Sequence, residues 1–147
     1  MKEVGAIAVQ FEREIGCPAQ LMIAQWPLES ELGAEPVGHA NYFGIKNAVR
    51  HTKSCIVTTH EFVNRKSVVE NLEFADYDSL ADSCREDAWL ITRGAPHRES
   101  WQQYQQSIDL SALAASVARV YATDPPRGSV QTQLTDFSRP SFRLRAC

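Results

Sequence analysis

The sequence predicts an α+β fold, a mostly helical single domain with one β-hairpin inserted after the second helix. Apolar residues recur with helical spacing over most of the chain, whereas the stretch from residue 54 to residue 77 alternates and is rich in β-branched side chains. The chain has 147 residues, of which 44% are hydrophobic, and this suits one compact domain.

Two amphipathic helices are predicted at the start of the chain. The first carries an apolar stripe with i, i+3, i+4 spacing, formed by Val4, Ile7, Ala8, Phe11 and Ile15. Gly16 ends it, and Pro18 suits the first turn of a second helix that reaches about Leu32. Pro27 lies inside this second helix, where it removes a hydrogen bond to the carbonyl of Ile23 and is expected to kink the axis just before Glu29.

A hairpin and further helices follow. "SCIVTTHEFV" (54–63) is predicted as a strand, "NRKS" as a turn and "VVENLEFADY" as the returning strand. Ser79 and Asp82 form a capping box that opens a helix ending near Gly94. Three more helices are predicted: one from Glu99 to Gln106, one capped by Asp109 or Ser111 with Leu113, Val117, Val120 and Tyr121 on one face, and one capped by Asp124.

Charge and hydropathy exclude several classes of protein. The net charge is −3, so no basic face for nucleic acid or a membrane surface is expected. No apolar run approaches the roughly 18–20 residues of a membrane span, and the first residues do not resemble a secretory signal. Three arginines fall within a short basic C-terminal tail, residues 138–147, and the globular domain is predicted to occupy residues 1–137.

Cysteine and histidine spacing gives no indication of a metal site or a cofactor. The four cysteines, at positions 17, 55, 84 and 147, include no C-x-x-C pair, and the four histidines are scattered. We therefore predict neither a metal nor a cofactor. The disulfide state stays open, although the apolar helical position of Cys84 favours a buried free thiol.

The residues best suited to chemistry are Glu29, the polar and aromatic loop from Asn41 to Lys46, and Glu61 in the hairpin. Cleavage of a glycosidic bond needs a proton for the leaving oxygen and stabilisation of an oxocarbenium-like centre. A glutamic acid shielded by apolar neighbours such as Trp26 can keep a raised pKa of about 6 and act as that acid. A carboxylate at the end of a helix is also commonly a solvated residue, and the residue types alone leave that alternative open.

The motifs in which these residues lie resemble those of glycoside hydrolase family 73, the bacterial and phage glucosaminidases. "ESELG…NYFGIK" is similar to the family's E-S-G-W-G … N-[YL]-F-G-[IV]-K signature, and "TTHEF" is similar to its T-T-x-E-[YF] strand. "FADYDSLADS" and "YATDP" resemble two further motifs, in the family's order. The resemblance runs from Glu29 to Pro125 and implies a lysozyme-like fold that cleaves peptidoglycan between N-acetylglucosamine and N-acetylmuramic acid.

The resemblance also implies roles for individual residues. Glu29 would be the general acid, Glu61 the hairpin carboxylate that holds or activates water, and Tyr121 a tyrosine near the point of cleavage. Asn41, Tyr42 and Phe43 would shape the substrate-binding floor of the groove. Two of these have a structural alternative: Phe43 and Tyr121 could equally belong to the core.

The chain departs from the family pattern at Glu31 and Leu32, where the family has glycine and tryptophan, which puts specificity in doubt. A muramidase or lytic transglycosylase-type cleavage and a catalytically silent wall-binding module therefore stay open as alternatives. We expect action in the periplasm or cell wall by a monomer, with delivery by a phage, an effector-type route or a longer parent protein. Peptidoglycan strands and an immunity or inhibitor protein are the expected partners.

Overall fold

A computed structural model describes residues 2–29, 35–46, 53–63 and 66–121, with the backbone alone for residues 28, 59–63, 66, 67 and 121. Its elements are, in order, α1 (Lys2–Ile15), α2 (Ala19–Glu29), β1 (Ser54–Val63), β2 (Lys66–Ala75), α3 (Leu80–Arg93), a 3₁₀ turn (Ala95–His97), α4 (Arg98–Ser107) and α5 (Leu110–Tyr121). The helix predicted at Asp124 and the basic tail lie outside the described residues.

The core forms where α1, α2 and α3 pack on one another and α5 closes the far side with α4. Its largest fully buried apolar side chains come from four helices and the 35–46 loop: Phe11, Leu21, Met22, Phe43, Ile91, Leu113 and Val117. The stripe predicted for the first helix is confirmed, since Val4, Ala8 and Phe11 are buried. The α+β prediction is confirmed as well, because the described strands form one two-stranded antiparallel sheet beside helices.

The structure confirms two predicted helix caps. The Asp82 N–H donates to the Ser79 hydroxyl at 3.2 Å, as the capping box requires. The Ala112 N–H donates to the Asp109 carboxylate at 3.0 Å, so Asp109 caps α5.

Two sequence-based details differ from the structure. β2 begins at Lys66, inside the predicted turn, because Val63 pairs directly with Lys66, and it ends at Ala75 rather than at Tyr77. Val120 is 43% exposed, although it shares a helical stripe with the buried Leu113 and Val117, because it lies at the end of α5. The predicted place of Pro27 is confirmed, since α2 runs through Pro27 to Glu29 and this proline cannot donate to the carbonyl of Ile23.

Two thiols lie in the helical core. Cys17 and Cys84 are fully buried and free, which confirms the prediction for Cys84. Burial, reinforced by the Asp87 carboxylate, raises the pKa of Cys84 to about 12. Both thiols therefore stay protonated and behave as small apolar side chains.

The loop before the hairpin is fixed by one buried amide, that of Asn41, which is 1% exposed. The Asn41 Nδ2 donates to the carbonyl of Ile45 at 2.9 Å and to that of Ala75 at 2.8 Å. The Ile45 N–H donates to Asn41 Oδ1 at 3.0 Å. One side chain thus closes the loop on itself and fastens it to the end of β2.

Backbone pairing extends this attachment. The Ala75 N–H donates to the Ile45 carbonyl at 2.9 Å, and Lys46 forms an antiparallel bridge with Phe74. At its base, β2 therefore lies between β1 and the loop. The sequence predicts a polar and aromatic loop from Asn41 to Lys46 but gives no indication of this pairing.

A carboxylate fixes the other end of the loop. Asp76 Oδ1 accepts the N–H groups of His39 at 2.8 Å, Tyr77 at 3.0 Å and, more weakly, Ala40 at 3.4 Å. Burial by itself would raise the pKa of this carboxyl, but the backbone donors and the nearby His39 imidazole outweigh burial and lower it. Asp76 is therefore held as the anion that the loop backbone requires.

Gly38 makes this close approach possible. Its φ is +64°, and a Cβ built on it would lie 2.7 Å from Cys55 Sγ and 2.9 Å from Asp76 Oδ1. Both the left-handed backbone and the lack of space favour glycine there.

We predict that Asn41→Ala lowers the free energy of unfolding by roughly 3 kcal/mol, since each buried group left unsatisfied costs about 1–3 kcal/mol. Urea unfolding followed by circular dichroism measures it. Asn71→Ala is the matched control, because Asn71 is exposed and accepts one side-chain bond from Thr58; its change should stay within about 0.5 kcal/mol. Equal losses in the two variants would contradict the role of Asn41.

We predict that Asp76→Asn destabilises the protein in a pH-dependent way. Because the folded pKa lies below the unfolded one, the carboxylate stabilises the fold above about pH 4, and this contribution is lost as the pH falls through the folded pKa. The stability gap between wild type and Asp76→Asn should therefore be widest near neutrality and narrow in acid. Asp78→Asn, which removes an exposed pair with Lys53, is the control. A gap that stays constant from about pH 7 to about pH 3 would rule out the anion.

Candidate active site

Glu29 is the last described residue of α2 and is half-buried. The turn before it is closely packed: Ala24, Gln25 and Trp26 are exposed by 2%, 2% and 7% respectively. α2 itself packs on α1 and α3. Glu29 thus lies at the end of a closely packed helix, where side chains change from buried to half-buried.

The three predicted loop residues differ in what they can offer a ligand. The structure buries Asn41 and Phe43, which are 1% and 0% exposed, and uses the Asn41 amide on backbone groups. Their side chains shape the loop from inside, and for Phe43 this is the core alternative left open by the sequence. Tyr42 is half-buried, and its N–H donates to the Ser83 hydroxyl at 3.1 Å. Tyr42 is the one member of this trio with an accessible side chain.

The hairpin has two unlike faces. One face carries Ile56 and Val69, which are 75% and 60% exposed. The opposite face carries Cys55, Val57 and Leu72, all half-buried, and Phe74, which is 9% exposed. We call the second face the inner face, because its burial shows that it turns toward the body of the domain.

Glu61 pairs with Val68, and strand alternation assigns both positions to the inner face. Glu61 is six residues beyond Cys55, or roughly 20 Å along the strand at about 3.3 Å per residue. Burial on this face falls in the same direction, from 9% exposure at Phe74 to 38% at Val68. The inner face therefore separates from the domain toward the hairpin tip, and Glu61 lies along the part that has opened.

The predicted catalytic residues lie on three separate elements. Glu29 ends α2, Glu61 is in β1 and Tyr121 ends α5. The described contacts join the loop to β2 through Asn41 and to α3 through Ser83. Only the backbone is described at Glu61 and Tyr121, and Glu31 and Leu32 lie outside the described residues.

Three polar residues important to this region did not stand out in the sequence. Asp76 and Ser83 bond loop groups 37 and 41 residues away, and no local spacing predicts such partners. Gln25, by contrast, lies within an apolar helical run, so a buried amide could have been inferred from helical periodicity.

Within the described ranges, no group of three or more histidine, cysteine, aspartate or glutamate side chains is arranged to hold a metal ion. The helices described there are also too short or too polar to span a bilayer.

Comparison with known proteins agrees with the motifs. The sequence model of the family "Glucosaminidase: Mannosyl-glycoprotein endo-beta-N-acetylglucosaminidase" matches residues 5–129. A "Probable N-acetylmuramidase" of Lactococcus lactis subsp. cremoris (strain MG1363) is 31% identical over 137 residues, covering 88% of this chain and 31% of that protein. The chain thus spans about a third of the length of the curated relatives it matches.

Solved structures share the fold. The catalytic domain of the autolysin Auto from Listeria monocytogenes superposes with a TM-score of 0.74 at 25% identity, covering 92% of this chain and 78% of that one. A peptidoglycan hydrolase mutant from Sphingomonas sp. A1 gives a TM-score of 0.67 at 24% identity, covering 92% and 89% of the two chains, which supports the fold alone. This chain belongs to the glucosaminidase family of glycoside hydrolases, and it has the lysozyme-like α+β fold that its motifs implied.

Proposed function

We propose that the domain hydrolyses the β-1,4 bond between N-acetylglucosamine and N-acetylmuramic acid in peptidoglycan, as an endo-β-N-acetylglucosaminidase with Glu29 as the general acid. The observation that carries the proposal is the position of Glu29, a half-buried carboxyl on the packed helix α2, in a chain of the glucosaminidase family. A proton donor must be held firmly and partly shielded from water, and this environment meets both needs.

The inner face of the hairpin supports a groove as the place of binding. Glu61 lies on the section of that face where burial decreases, so a glycan strand could lie between β1 and the domain body. Tyr42 would line the floor, with Asn41 and Phe43 holding the loop beneath it. Tyr121, at the end of α5, is proposed to lie near the scissile bond.

The reaction then proceeds with a simple proton balance. Glu29 gives its proton to the glycosidic oxygen as the bond from that oxygen to the anomeric carbon breaks. The oxygen of a water molecule bonds to the anomeric carbon. In the direct route the proton released by that water passes to Glu61, and a later transfer restores Glu29. If the substrate assists, its N-acetyl oxygen first bonds to the anomeric carbon as the glycosidic bond breaks, water then displaces that oxygen, and the Glu29 carboxylate takes the proton of this water.

A second candidate is muramidase-type cleavage, one bond along the same strand. It is favoured by the Lactococcus lactis relative, which is named as an N-acetylmuramidase although the family model is that of a glucosaminidase. The same proton donor would serve either bond, and the sugar subsites would decide which is cut.

The wider setting is part of the proposal. Action on the wall implies that the domain works outside the cytoplasm, in the periplasm or cell wall. We propose a monomer in a globular unit of residues 1–137, with peptidoglycan as the partner and an immunity or inhibitor protein as a further one.

Product analysis of digested, purified murein tests the proposed bond. We expect new reducing N-acetylglucosamine ends, identified by mass spectrometry after borohydride reduction. Reducing N-acetylmuramic acid would establish the muramidase alternative, and an anhydro sugar would indicate a lytic transglycosylase. Binding to murein with no released fragments would identify a silent wall-binding module.

We predict that Glu29→Gln abolishes nearly all turnover on murein, because general acid–base help contributes about 10²–10⁴-fold and the leaving group is poor. Glu61→Gln should also cut the rate severely, but less than Glu29→Gln, while murein binding and melting temperature stay nearly unchanged. A small loss in Glu61→Gln would instead favour the N-acetyl group of the substrate in that role.

Matched controls come from the same hairpin and from the helix that packs on α2. Glu73→Gln removes an exposed carboxylate from the other face of the hairpin, and Glu14→Gln removes an exposed one from α1. Both should keep wild-type rates. Near-normal activity in Glu29→Gln, with the fold verified by circular dichroism, would overturn the assignment of the acid.

A further inference from the structure

Gln25 is a buried polar side chain in an unexpected state. It is 2% exposed, and neither its Nε2 nor its Oε1 has a hydrogen-bond partner among the described residues. Its neighbours in α2 are apolar and equally buried, namely Leu21, Met22 and Ala24. The amide therefore lies in the wall of packed side chains that supports the end of this helix.

Such a group is costly. Leaving a buried donor or acceptor unsatisfied destabilises a fold, and a methionine or leucine of similar size would avoid that cost here. Asn41 shows the ordinary solution in this protein, since both ends of its buried amide are used. Gln25 makes no comparable bond to any described residue, so its amide is available to a group that acts in the reaction.

The helix places that group within reach. Gln25 and Glu29 are four residues apart in α2, so they lie on the same face with Cβ atoms roughly 5–6 Å apart. Helical side chains tilt toward the N-terminus, so the side chain of Glu29 extends back over the turn that holds Gln25. Rotation about the Glu29 side-chain bonds can therefore bring its carboxyl to the amide, directly or through one water molecule.

We propose that Gln25 is a positioning residue for Glu29, and that its Nε2–H donates to the Glu29 carboxylate as that carboxylate forms. This inference rests on the proposed role of Glu29 as the acid. Before proton transfer the carboxyl is neutral, and a hydrogen bond to it is weak. Once the proton has passed to the glycosidic oxygen, Glu29 is an anion, and a bond to an anion is roughly twice as strong.

This difference in strength has a kinetic consequence. An interaction that strengthens only as charge develops stabilises the transition state more than bound substrate, so it raises kcat and leaves KM nearly unchanged. A buried amide is also already desolvated, so it needs no rearrangement of water at the moment of transfer. The buried amide would thus lower the stability of the fold and, in the same position, raise kcat.

The test replaces Gln25 with side chains of similar size that cannot hydrogen-bond. Gln25→Met and, as a second variant, Gln25→Leu should keep or raise the melting temperature while lowering kcat on soluble glycan strands by about 10- to 100-fold, with KM within about twofold. Gln20→Met makes the same chemical change at an exposed position of α2 and should leave both constants unchanged. A kcat equal to that of wild type in both Gln25 variants would overturn the proposal.

A second readout does not depend on turnover. In ¹⁵N-labelled protein the side-chain amide signal of Gln25, identified by its loss in Gln25→Met, should move as rising pH ionises Glu29, and this movement should be absent in Glu29→Gln, while the signal of Gln20 stays in place. An unmoved Gln25 signal would refute the contact even if activity fell. If the wild-type protein did not hydrolyse murein, or if Glu29→Gln still did, the proposed function would be refuted. The amide signal would still decide separately whether Gln25 contacts Glu29.

Discussion

The three hydrogen bonds of the Asn41 amide are the constraint on which the arrangement of the candidate site depends. They join the loop to itself at Ile45 and to the base of the hairpin at Ala75. Because all three lie in the core, no water competes for them, and the loop has one position relative to β2. The hairpin and the loop that form the proposed groove are thereby held as one unit.

Asp76 completes that unit with charge. Its carboxylate collects backbone N–H groups at the start of the loop, close to the position where Gly38 leaves no room for a side chain. The amide of Asn41 and the carboxylate of Asp76 therefore hold opposite ends of one short segment. Between them lie Tyr42, which is half-buried, and Phe43, which is buried in the core, so the same segment contributes to packing and leaves one aromatic side chain partly accessible.

α2 shows a different balance between stability and function. Ala24, Gln25 and Trp26 in its second half are buried, yet the Gln25 amide has no hydrogen-bond partner among the described residues and Pro27 has no N–H to donate within the helix. Concessions of this kind are expected where a helix must present a reactive group rather than only fill a core. The half-buried Glu29 at the end of this helix is the group that would benefit.

The sequence by itself determined the local structure and the family. Helical and alternating periodicity located the helices and both strands. The helix caps Ser79 and Asp109 could be predicted because each accepts a hydrogen bond from a residue only three positions along the chain. The motifs that follow one another from Glu29 to Pro125 identified the glucosaminidase family. This identification needs only the residue types and their spacing.

Only the tertiary structure decided what each residue of those motifs does. It buries Asn41 and Phe43 in the core, links Asp76 to a loop 37 residues earlier, and leaves Val120 exposed at the end of its stripe. Burial and hydrogen bonding depend on which distant segments meet, and helical or strand periodicity records only the side of an element that turns inward. The same limit applies to Gln25. Helical periodicity predicts its place in α2, but it does not predict that the side-chain amide has no hydrogen-bond partner among the described residues.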